Sequence, residues 1–98
     1  MNMDEQVAAA KQDLAQQLGT KADEIVVDTV RTVHWRSGAA GCPKPGMSYT
    51  MAIVPGVLIM LRADGDVYRY HAGRGRPPFY CPAGRAEAPV YGQGEEVM

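Results

Sequence analysis

Two cysteines, two histidines, one tryptophan and one phenylalanine are all that 98 residues hold of these types. Each scarcity closes a class of function. Cys42 and Cys81 lie far apart and form no Cys-x-x-Cys pair, which argues against a thioredoxin-like dithiol. Together with His34 and His71 they have the arithmetic of a Cys2His2 zinc site. No two of the four sit at the close spacing of a pre-paired clamp, so neither a metal nor a cofactor is expected. Long apolar runs are missing too. The longest, Met51 to Leu61, is broken by Pro55-Gly56 and falls short of the roughly 18 residues that suggest a membrane span. The opening Met-Asn-Met-Asp-Glu-Gln has neither the basic nor the apolar region of a signal peptide. As written, the chain reads as cytoplasmic, and as periplasmic or exported if a leader has been removed.

Net charge is close to absent, at −1, but its distribution is uneven. Up to Asp28 two lysines face six acids; from Thr29 to Ala86 eight basic residues face Asp64 and Asp66; beyond that come three glutamates and no base. A basic middle between acidic ends attracts anions or simply neutralises its own flanks. The strip Arg62, Arg69, Arg74, Arg76 with Tyr68, Tyr70, Phe79 and Tyr80 has the composition of a single-strand nucleic-acid platform. The strand pattern sends Tyr68 and Tyr70 to the same face as Ile59 and Leu61, which argues for core and against nucleic acid.

What is present favours one α+β domain over residues 4–82, with residues 83–98 as a flexible tail anchored, if at all, by Val90 and Tyr91. Val7, Ala10, Leu14, Ala15 and Leu18 recur at helical spacing, predicting a helix over 4–18 with Gly19 as its C-cap. Residues 25–35 are dense in β-branched side chains and read as a strand. Its two alternating sets are each mixed, which predicts a bulge near Thr29 to Arg31. Then come a strand over 48–54, a Pro55-Gly56 turn, a strand over 57–63, an Asp64-Gly65 hairpin turn, a strand over 66–71, and a short last strand over Phe79-Tyr80-Cys81. That register pairs Leu61 with Tyr68 and Ile59 with Tyr70. It also gathers Met51, Met60, Arg69 and His71 on the face the helix does not cover. The fold expected is an N-terminal helix on an antiparallel meander of about four strands.

Between the first two expected strands lies Trp35 to Tyr49, a loop rich in glycine and proline. Its exposed tip, Ser37 to Gly41 with Lys44, and the Met51/Met60 face are the candidate contact surfaces. The binding residues expected are Trp35, Ser37, Lys44, Tyr49, Arg69 and His71. The leading reading is a non-enzymatic module for a protein or peptide partner. A thiol- or metal-dependent catalyst using Cys42 or Cys81 with His71, and a homodimer through Met51 and Met60, are the alternatives. From the residues alone the two cysteines are either bridged or, in a cytosolic setting, free.

Trp35, the Gly41-Cys42-Pro43-x-Pro45-Gly46-Met47-x-Tyr49 run and Tyr68-Arg-Tyr70-His71 resemble a family of small, uncharacterised bacterial domains. Asp13-Leu14-Ala15, Leu18-Gly19 and Ile25-x-Val27 extend the likeness over roughly residues 10 to 81. Ala40 stands where that family has Leu, and Arg36-Ser37 where it has Pro-Asp. The resemblance implies that Cys42 and Cys81 pair and that the setting is exported or lipid-anchored; it implies no activity. The order of elements is also similar to PepSY-type and cystatin-like modules, some of which bind or inhibit proteases. Fold alone does not carry function.

Overall fold

The computed structural model describes residues 2–73 and 75–92. Helix α1, Met3–Leu18, starts in a capping box: Asn2 Oδ1 accepts from Glu5 N at 2.8 Å, and Glu5 Oε1 accepts from Asn2 N at 2.9 Å. It stops at Gly19, whose left-handed φ of 70° turns the Thr20 N–H back to the Ala15 carbonyl, 3.0 Å away. A 3-10 turn, Ala22–Glu24, leads into the sheet.

The strands are β1 Val26–Trp35, β2 Val54–Ala63, β3 Asp66–Ala72, β4 Phe79–Tyr80 and β5 Tyr91–Gly92. They lie in the order β4-β3-β2-β1-β5, with every neighbouring pair antiparallel. One helix on an antiparallel sheet is the α+β class the sequence predicts, with β5 as a two-residue fifth strand. The β2–β3 register is also as expected, with Leu61 opposite Tyr68, Ile59 opposite Tyr70 and Leu58 opposite His71. Asp64 and Gly65 have φ of 52° and 83°, the two positive values a tight I′ turn requires.

The Pro55-Gly56 hairpin does not form. β2 runs straight through both residues and pairs with β1, His34 opposite Pro55 and Val33 opposite Gly56. Residues 48–53, expected as a strand, are therefore not one, and Val54 pairs with Trp35 of β1 instead of folding back on β2. The reason is local. Pro55 lies beyond the last β2–β3 pair, Val57 with Ala72, where β2 has a neighbour on one side only and a missing N–H is tolerated. Gly56 meets a different demand: a Cβ there would overlap the Ala72 carbonyl and the Trp35 indole. The dipeptide marks a half-open strand crossed by an aromatic ring rather than a turn.

The β1 irregularity falls between Val27 and Thr29, at Asp28, slightly ahead of where it is expected. It switches the side-chain alternation. Val27 and Val30 both reach the helix side, packing beside Ile59, Leu61 and Tyr70, with Leu14 and Ala10 coming from α1. Tyr70 ties helix to sheet through its hydroxyl, which donates to Asp13 Oδ2 at 2.6 Å. Burial, reinforced by Asp13, raises the phenol's pKa above its usual range. The opposite sheet face carries a second cluster of Val33, Trp35, Ala40 and Leu58, with Val54, Met60 and Phe79 at its margin.

Residues 83–92, expected within a tail, follow a defined path. Glu87 N donates to the Gly41 carbonyl and Val90 N to the His34 carbonyl, each at 2.8 Å, before β5 adds to β1. Residues 93–98 lie outside the described residues.

Candidate functional site

The chain from Arg36 to Ile53 connects β1 to β2 without regular secondary structure, and it covers the face that the helix leaves open. Its first part is a tight coil. Ser37 Oγ accepts from Ala39 N, and Cys42 N donates back to the Ala39 carbonyl. Ala40 and Gly41 take left-handed φ of 55° and 74°. Gly41 has no alternative, because a Cβ there would run into the Trp35 ring.

Beneath the coil the Trp35 indole stacks on the His71 imidazole, ring centres 4.4 Å apart and planes 19° from parallel. Trp35 Nε1 donates to the Ala72 carbonyl at 2.9 Å. Arg69 Nε donates to His71 Nε2 at 2.7 Å. That nitrogen must therefore be the unprotonated one, and Nδ1 carries the proton it donates to the Ala40 carbonyl at 2.8 Å. Burial pushes the His71 pKa down to about 4; the Ala40 bond opposes this and the Arg69 charge adds to it. His71 is thus a neutral strut joining β3 to the coil. His71 lies directly beneath the loop, which covers it.

The far side of the coil is fastened by the Cys42–Cys81 disulfide, which leaves no free cysteine. Next to the bridge, Arg85 Nη2 lies 3.4 Å from Cys42 Sγ. Pro43 to Ile53 then loops outward, with Lys44 N donating to Tyr49 Oη at 3.1 Å and Gly38 N donating to the Thr50 carbonyl at 2.8 Å. Met47, Met51 and Ile53 are exposed along this stretch, Met51 to 80%.

The six residues singled out from sequence fall into two groups. Trp35, Ser37 and His71 are buried, and half-buried Arg69 supports His71; together they carry the loop. Exposed Lys44 and half-buried Tyr49 border a cavity of about 450 Å³ beside the bridge, together with Arg76, Phe79, Tyr80 and Arg85. Met51 and Met60 do not share a sheet face, since Met51 lies in the loop and Met60 in β2. The basic strip is divided as well: Arg62 pairs with Asp28 at 2.8 Å, while Arg76 reaches the loop and donates to the Gly38 carbonyl. Arg74 lies outside the described residues. Sequence reasoning passed over Arg85, which sits in a stretch without periodicity; only the fold brings it beside Cys42.

Fold and bridge define a small, disulfide-tied α+β domain. Residues 7–81 match the model of a domain of unknown function (DUF8738), and the protein belongs to that family. No curated protein matches the chain, and no solved structure does. No helix among the described residues is long and apolar enough to cross a membrane.

Proposed function

We propose that the protein is a non-enzymatic binding module whose docking surface is the β1–β2 connection, and that it works in an oxidising, exported compartment. The observation that carries the reading is the form of this connection. It is longer than the roughly 12–15 residues beyond which structureless loops are uncommon and usually functional. Its root is clamped by Trp35, His71 and the disulfide, while its outer part holds Met47, Met51 and Ile53 in water. Rigid support under exposed apolar side chains limits the ordering cost of association. The partner is a polypeptide with a complementary apolar patch, and a protease is one version of it. The bridge supports the compartment, because such bonds persist where thiols are not kept reduced.

Cross-linking the protein to periplasmic and secreted fractions of its host tests this, with the attachment points mapped by mass spectrometry. Links to one protein should map to residues 36–53 and disappear in Met47→Glu/Met51→Glu. Links that map elsewhere, or that survive the substitution, would overturn the reading. Links to a second copy of the chain would replace a foreign partner by self-association.

A further inference from the structure

The cavity over the disulfide has a composition of its own. Lys44, Arg76 and Arg85 line it, and no acidic side chain among the described residues does. None of the three has a carboxylate partner among the described residues. Arg76 spends one N–H on the Gly38 carbonyl and lies 5.9 Å from the centre of the Phe79 ring. Arg85 is less well supplied. Among the described residues its Nη2 meets only the Cys42 sulfur, a weak acceptor, and its Nε is buried without an acceptor. A buried donor on a cation costs free energy until something accepts from it. Glu87, the nearest candidate in sequence, lines the adjoining depression with Lys44 and Arg85 and is not among the groups around this cavity. Tyr49, Phe79 and Tyr80 complete the wall with aromatic surface.

We propose that this cavity binds an oxyanion, a carboxylate or a phosphate, carried on a flat apolar body. The oxyanion lies against Arg85 and Arg76, whose planar forks match its geometry, and Lys44 adds a point charge. The apolar body lies among Tyr49, Phe79 and Tyr80. The inference rests on the loop being a binding surface, and it names the chemistry that one wall of that surface reads.

The test is a titration of the ¹⁵N-labelled, disulfide-intact protein with benzoate, phenyl phosphate, inorganic phosphate and neutral benzamide, followed by NMR. Benzoate or phenyl phosphate should move the Arg76 and Arg85 Nε–H signals at about millimolar concentration, with benzamide inert. Whichever of the two binds more tightly identifies the oxyanion. Arg85→Gln should weaken the response about tenfold, the loss of one charge-assisted hydrogen bond, while Lys11→Gln on the helix leaves it unchanged. If near-UV circular dichroism shows that Arg85→Gln does not fold, the exposed pair Arg76→Gln and Lys44→Gln carries the same comparison. Equal movement with benzamide, or no dependence on these cations, would overturn the oxyanion site. Inorganic phosphate binding as well as phenyl phosphate would overturn the apolar half. A null titration alongside cross-links still mapping to Met47 and Met51 would remove this inference and leave the docking surface standing.

Discussion

At the scale of single residues, the decisive positions surround one indole. Gly56→Ala should cost about 2 kcal/mol or more, because the new methyl would overlap backbone as well as ring. Gly46→Ala has a φ of 81° but open space around it, and should cost only about 1 kcal/mol from the left-handed backbone. Urea denaturation of both variants checks the ordering. His71 makes the fold sensitive to pH. Unfolded, the imidazole takes up a proton near pH 6.5; folded, only near pH 4. Between those values the unfolded state holds more protons, so stability is fully present above about pH 6.5 and declines as pH falls towards 4. The full decline is on the order of 3 kcal/mol. Its upper part, between about pH 6.5 and 5, lies above the range of ordinary carboxylates. Urea midpoints measured there should fall with pH, and His71→Gln should flatten the slope. Of this constellation the sequence displayed Trp35 and His71, but not that they stack. Their contact joins β1 to β3 across β2, and no local pattern encodes it.

At the scale of elements, the hairpin of β2 and β3 could be read in advance because its instructions are local. Asp64-Gly65 fixes the turn, and alternation then fixes every pair. The β1–β2 pairing could not. It closes over an irregular loop, and Pro55-Gly56 imitated a turn while serving a strand. The mixed alternation of β1 was a real trace of the break at Asp28, offset slightly because a bulge pattern fixes a neighbourhood rather than one residue. The family likeness supplied the pairing of Cys42 with Cys81, which spacing alone left open. Replacing both cysteines by alanine should cost roughly 3–4 kcal/mol on the loop-entropy estimate. The loss should be felt first in the connection, so hydrogen exchange at the backbone amides of position 42 and Gly38 should accelerate before that at the β2–β3 ladder. Uniform acceleration across the molecule would mean that the coil is held by His71 and Trp35 without help from the bridge.

At the scale of the whole molecule, the helix covers one side of the sheet and an irregular loop covers the other, so each side depends on a different kind of cover. The bridge makes residues 42 to 81 a closed covalent ring that holds β2, β3 and β4, with α1 and β1 outside it. The outer loop, Pro43 to Ile53, lies inside that ring but contributes no strand. A protease that cuts there therefore turns one chain into two without releasing either. Chymotrypsin cleavage at Tyr49 should give a full-size band on a non-reducing gel and only half-size material on a reducing one, since both fragments have 49 residues, with the near-UV spectrum retained. Loss of the spectrum on nicking would show that the loop's continuity, and not only its anchors, holds the second face together. If the spectrum survives, the molecule is one that can be bitten and still hold on.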